Sequence, residues 1–256
     1  MKNIVKGKEP PLLVAYRAGK PNFSWPRCKS NSNRRDEIQD YLRRDQGGIC
    51  AYCEIDLLKR DVEGEESDFQ VEHFHPKSDK TTAHNWALDW DNMLACCLGG
   101  KSKNVVDADN RHTNPNLRCG ALKDDDDLDN IILNPLNLPH SPLLYNFQRT
   151  TGETSVNEDN CNLAGVDIGK AQATIDCLNL KSERLNRLRQ EQLAHANKNL
   201  QVLVNSGLTA EQARQKLALA LMKKDGNGCW PKFFSALRCY LGSAAEEQLL
   251  TIGFTG

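Results

Sequence analysis

Five cysteines constrain this chain more than any other feature of it. Cys50 and Cys53 lie in the segment ICAYCE, Cys96 and Cys97 close the segment WDNMLACC, and Cys119 falls in RCGALKD. A Cys-x-x-Cys turn gives two thiolates the bite of a tetrahedral zinc ion, with Zn–S bonds of about 2.3 Å. A redox pair of the same spacing would open a helix in a βαβ setting, which this stretch lacks. Cys119, with either Cys97 or Cys96, supplies a second pair, and the spacing leaves that choice open. Four thiolates leave no free coordination position, so the ion they hold is structural. Cys28, Cys161, Cys177, Cys229 and Cys239 are scattered singly and read as small buried hydrophobes.

A chain of 256 residues can bury one sizeable core or two modest ones. Residues 1–8 are charged and run into Pro10-Pro11, unlike a secretory leader, and no apolar run approaches the roughly 18 residues of a membrane span. The expectation is a cytoplasmic protein with reduced thiols and no membrane association. Net charge is −1, yet residues 1–44 carry eleven Lys and Arg against four acids, a local excess suited to phosphates.

Residues 1–33 are rich in Pro, Lys, Ser and Asn and read as an irregular basic arm. A helix is expected over 33–46, capped by Asn33, with Asp36 and Glu37 in its first turn and Ile38, Tyr41 and Leu42 on one face. Gly47-Gly48 ends it. Residues 61–68 read as an acidic loop, and Phe69, Val71 and Phe74 mark a short strand whose return is expected near 86–90. Residues 98–118 look like an insertion loop, and the four carboxylates 124–127 like a solvated face or a helix start. Asn134-Pro135, Pro139 and Pro142 suggest an extended connector, with loop over 152–165. Leu185, Leu188, Leu193, Ala196, Leu200 and Leu203 recur at helical intervals. Thr209-x-x-Gln212 has the spacing of a capping box, and a last helix is expected near 233–241.

Glu72-His73 sits at the end of the expected strand. Neighbouring strand residues point to opposite faces, but at a strand-to-loop transition the carboxylate can hold a divalent metal while the imidazole faces a water. An imidazole of ordinary pKa near 6.5 suits proton abstraction at neutral pH, and the metal would stabilise charge on the phosphate and the leaving oxygen. His75, His84, His140 and His195 read as non-catalytic, and Trp86 and Trp90 as core anchors.

Cys50 and Cys53, then Glu72-His73-Phe74-x-Pro76-Lys77, Trp90-x-Asn92, and Cys97 with Cys119-x-x-x-Lys123 together resemble the HNH endonucleases of the ββα-metal class. The wording CAYCE and EHFHPKS is similar to PtuB, the nuclease subunit of Septu-type and retron-associated anti-phage systems. The resemblance covers about residues 34–135. It implies an α+β fold with a zinc-stapled ββα-metal HNH core over 34–135, to which the helical pattern adds a mostly helical region over 136–256. Because the family spaces its third cysteine five residues past the asparagine, it implies structural zinc on Cys50, Cys53, Cys97 and Cys119. Glu72 would ligate the catalytic ion, His73 would be the general base, and Asn92 would hydrogen-bond the loop carrying His73. The family places His or Asn after the fourth cysteine, where this chain has Gly120. Asp124, one helical turn later, is the candidate for the missing ligand, with His112, Asp125 and water as competitors. Magnesium or manganese suits such an oxygen-dominated site. Lys77 and Lys123 would neutralise the substrate phosphate. The implied partners are a nucleic acid (DNA or structured RNA), an ABC/SMC-like ATPase that gates the nuclease, and a retron reverse transcriptase with its multicopy single-stranded DNA. The helical carboxyl-terminal half is the expected docking region. A competing reading is a non-catalytic, zinc-stabilised nucleic-acid-binding or adaptor module.

Overall fold

The computed structural model describes residues 1–57, 69–101 and 117–256. The acidic loop expected over 61–68, most of the insertion loop and His112 lie outside the described residues.

The amino-terminal segment carries two helices, α1 (Pro11–Gly19) and α2 (Trp25–Lys29), where an irregular arm was expected. Each has a proline at its first or second position, where the missing N–H costs nothing. Met1, Ile4, Leu13, Trp25 and Cys28 of this segment are buried. The next helix, α3 (Ser32–Gln46), begins one residue early because Asn31 is the cap, its side chain accepting from the Arg34 amide at 2.9 Å. It ends at Gly47 with φ 67°, a left-handed conformation that suits glycine, and a side chain there would strike the indole of Trp230.

Strands β1 (Phe69–His73) and β2 (Met93–Cys97) form an antiparallel hairpin with Glu72 opposite Leu94 and His73 opposite Met93. The return strand is later than expected. Asp89 caps a single 3-10 turn, Trp90–Asn92, and turns the chain into β2, whose five residues are all buried. Gln46 joins α3 to this strand: its Nε2 donates to Ala95 O at 2.8 Å and its Oε1 accepts from Ala95 N at 2.7 Å. A one-turn helix, α4 (Gly120–Lys123), follows.

A second hairpin, β3 (Tyr145–Phe147) and β4 (Thr154–Val156), follows the expected connector, and its second strand lies in the loop expected over 152–165. Three-residue strands are too short to show an alternating pattern. The chain then runs through α5 (Glu158–Leu163), α6 (Ile168–Cys177), α7 (Glu183–Asn205), α8 (Ala210–Leu221), α9 (Phe234–Leu241) and α10 (Ser243–Thr251). Both bonds of the Thr209–Gln212 capping box are formed. The described residues thus form an α+β fold with one continuous apolar core, from Met1 and Leu13 through β2 to Leu193, Leu237 and Leu249. No described helix is long and apolar enough to cross a membrane.

Candidate active site

The cysteines converge. Cys50 and Cys53 follow α3 in a tight turn closed by Cys50 N donating to Ile55 O at 2.9 Å and Glu54 N donating to Cys50 O at 3.1 Å. Cys96 and Cys97 arrive on β2, and Cys119 immediately precedes α4. The sulfurs of Cys50 and Cys96 are 3.6 Å apart and those of Cys53 and Cys97 are 3.7 Å apart. An edge of about 3.8 Å follows from tetrahedral geometry with Zn–S bonds of about 2.3 Å, so the donor set fits zinc. Backbone amides also point at two of the sulfurs, Cys97 N at Cys50 Sγ (3.4 Å) and Gly120 N at Cys96 Sγ (3.3 Å). The set in which all four sulfurs lie within 4.8 Å of one another is Cys50, Cys96, Cys97 and Cys119. Sequence reasoning placed Cys53 in the set and left Cys96 out. Five thiols thus meet where four are needed.

Glu54, beside Cys53, is clamped by the far end of the chain. Its carbonyl accepts from Phe233 N at 2.7 Å, and its carboxylate accepts from Ser235 N at 2.7 Å and Ser235 Oγ at 2.6 Å.

Glu72 and His73 are both buried, and they face different surroundings. The Glu72 carboxylate turns toward α4, into the space that any side chain on residue 120 would occupy. Lys123, fully buried, places Nζ 3.5 Å from Glu72 Oε1 and donates to His73 O at 3.0 Å. Even so, among the described residues Oε1 has no hydrogen-bond partner. Burial pushes the Glu72 carboxyl up to about 8, against the pull of Lys123. A buried carboxylate with an unsatisfied oxygen is a fitting ligand for a hard divalent cation.

The His73 ring packs edge-on against Trp25 of α2, with centroids 5.2 Å apart, and its Nε2 lies 3.2 Å from Ala87 O. A carbonyl can only accept, so that nitrogen carries the proton and the other is left basic. Burial pushes the His73 pKa down to about 4, not the ordinary 6.5 expected from sequence; the ring is neutral at physiological pH but a weaker base than a free imidazole. Asn92 spends its whole side-chain amide on the turn after β1. Its Oδ1 accepts from His75 N at 2.7 Å, and its Nδ2 donates to His75 O at 3.0 Å and Trp86 O at 2.9 Å.

The acidic run has no single helical phase. Helix α4 ends at Lys123, and Asp124 is an exposed residue at φ 50°. Asp125 accepts from both the backbone and the ammonium of Lys77, at 3.1 and 3.0 Å. His75 is held between Asp129 (2.7 Å) and Asp79 (2.9 Å); burial lowers its pKa, but these carboxylates outweigh that and leave it raised. Sequence reasoning missed the inward turn of Lys123 and the cover of His73 by Trp25. Neither has a local signal, because both arise from contacts distant in sequence.

A carboxylate suited to a cation and a neutral imidazole able to take a proton are the equipment for cleaving a phosphodiester. They lie on a strand–strand–helix unit beside the cysteine cluster, an arrangement consistent with the HNH class of nuclease. The chain is 34% identical over 241 residues to the protein of Escherichia coli retron Ec83 to which HNH endonuclease activity is ascribed, covering 84% of this chain and 90% of that one. It belongs to the HNH endonuclease family, hydrolases of nucleic-acid phosphodiester bonds. No protein-family profile matches it.

Proposed function

We propose that this chain is the effector nuclease of a retron-type anti-phage system, with a ββα-metal active site and a structural zinc. The observation that carries this reading is the buried Glu72-His73 pair, one member with an unsatisfied oxygen and the other held neutral. A magnesium or manganese ion on Glu72 would stabilise charge on the scissile phosphate and the leaving oxygen. The free ring nitrogen of His73 takes the proton from the attacking water. Asn92 fixes the turn that follows His73, and Lys123 holds both the His73 carbonyl and the Glu72 carboxylate. Lys77, on the rim and paired with Asp125, is the lysine we assign to the substrate phosphate. Asp124 is our candidate for a second ligand; it directly follows Lys123, and Asp125 is already engaged by Lys77. Four of the five clustered thiols would hold zinc. The retron relative supports a reverse transcriptase and its multicopy single-stranded DNA as partners. An ABC/SMC-like ATPase that gates the nuclease completes the proposed assembly, docking on the carboxyl-terminal helices.

The test is cleavage of DNA and of structured RNA by purified protein with added magnesium, beside the His73→Ala variant. Loss of a general base costs on the order of 10²–10⁴ in rate. Parent-like cleavage by His73→Ala protein would overturn this mechanism.

A further inference from the structure

We propose that Lys20, Arg27 and Lys29 form a cradle for the nucleic-acid backbone on the segment that covers His73; this rests on the nuclease reading above.

The fold sorts the basic excess of the first 44 residues into used and unused charges. Arg17 is paired with Glu9 at 2.5 Å and Arg35 with Asp36 at 3.0 Å, while Glu37 accepts from the Leu12 amide at 2.8 Å. Arg34 turns inward, donating to Cys28 O and lying 3.8 Å from the centroid of the Tyr16 ring. Lys20, Arg27 and Lys29 are exposed, and among the described residues none of them pairs with a carboxylate. Three unpaired cations close together in one segment raise the local positive potential, which attracts a polyanion.

These cations are also placed in advance. The Lys20 ammonium lies 5.2 Å and the Arg27 guanidinium 4.8 Å from the centroid of Phe23, which itself packs edge-on against Tyr16. Asn85 fastens the segment to the stretch between β1 and β2, its Nδ2 donating to Pro21 O at 2.6 Å and Phe23 O at 3.0 Å. Trp25, on the same five-residue helix as Arg27 and Lys29, is the ring that packs on His73. A helix rises about 1.5 Å per residue, so Lys29 stands within about 6 Å of Trp25 along the axis. Through Trp25 the segment that carries the cradle is packed against the imidazole of His73. Cations on an aromatic support bind phosphates without reading bases, so the contact is independent of sequence.

The experiment measures binding of the full chain to a fluorescein-labelled 30-base-pair DNA duplex, and separately to a stem-loop RNA, by anisotropy across a salt series without added divalent metal. The Lys20→Glu/Arg27→Glu/Lys29→Glu variant should lose at least tenfold affinity for whichever probe the parent binds. Each lost phosphate contact flattens the salt dependence by about 0.7–0.9, so the log–log slope should fall by about 2–3. A control carrying Lys198→Glu, Arg214→Glu and Lys216→Glu on α7 and α8 should bind like the parent. Parent-like affinity in the first variant, an equal loss in the control, or no binding of either probe by the parent would overturn the proposal. Hydrolysis of bis(p-nitrophenyl) phosphate by the parent tests the nuclease reading separately.

Discussion

Glu72 and Gly120 share one space: the carboxylate of the first occupies the position where the second would carry a side chain. Glycine at 120 is thus a packing requirement as well as a missing ligand. Gly120→Ala should displace Glu72, with a cost in the range of about 1–3 kcal/mol for overpacking a buried site. Nuclease activity should fall at least tenfold while zinc content is retained. Parent-like activity and melting temperature in Gly120→Ala would show that Glu72 has another resting place.

Five thiols for one ion give a pattern that metal analysis can read. Cys50, Cys97 and Cys119 belong to both the sequence-based set and the geometric one, and serine at any of them should cost the zinc and unfold the core, since binding is part of the folding free energy. Of Cys53 and Cys96, one should be dispensable. One single serine variant should keep one zinc per chain, and the Cys53→Ser/Cys96→Ser double variant should have none. Zinc retained by the double variant would sink this assignment.

The two lysines should separate by readout. Lys123 is fully enclosed, and Lys123→Ala leaves His73 O without its donor and Glu72 without its counter-charge. The expected loss of stability is about 1–3 kcal/mol, read from chemical denaturation. Lys77→Ala, on the partly exposed rim, should leave stability within about 0.5 kcal/mol and raise KM for nucleic acid. Equal melting temperatures for the two variants would contradict this division.

Asp124→Ala should raise the magnesium concentration needed for half-maximal cleavage well above that of Asp126→Ala. The same magnesium titration with both variants decides the matter. Indistinguishable curves would remove Asp124 from the site.

Glu72, with its carboxyl raised to about 8, has a definite pH signature. A divalent ion needs the ionised form, so the magnesium requirement should fall as pH rises from 6 to 8 and level off above that. The sign for stability without added metal is opposite. Between about pH 4.5 and 8 the folded protein holds a proton that the unfolded chain has lost, so Glu72's contribution to stability decreases as pH rises through that window. His73 acts the other way between about 4 and 6.5, where the unfolded chain binds the extra proton. A magnesium requirement independent of pH from 6 to 8 would exclude Glu72 as a ligand.

Local patterns were the most legible part of the sequence. Phe69, Val71 and Phe74 marked the strand that carries Glu72 and His73, and the Cys50-x-x-Cys53 spacing marked the tight turn after α3. Helix α8 was legible too, because its capping box is a local device. The second hairpin was not, since each strand spans only three residues and owes its place to tertiary packing. Cys96 and Cys97 were weighed as alternatives, and that both would join the cluster was not legible: on an ideal strand they face opposite ways, and only the convergence of β2, α4 and the Cys50 turn brings both sulfurs to one centre. The amino-terminal segment reads as irregular because it is rich in Pro, Lys, Ser and Asn, yet Pro11 and Pro26 stand in the first turns of its two helices and Asn31 caps the next.

Glu54 carries one more consequence. The residue next to Cys53 is gripped by Phe233 and Ser235 at the entrance to α9. A pull on the last helices therefore reaches the cysteine turn across one peptide unit. Displacing the tail of this protein would strain the turn that carries two of its clustered thiols.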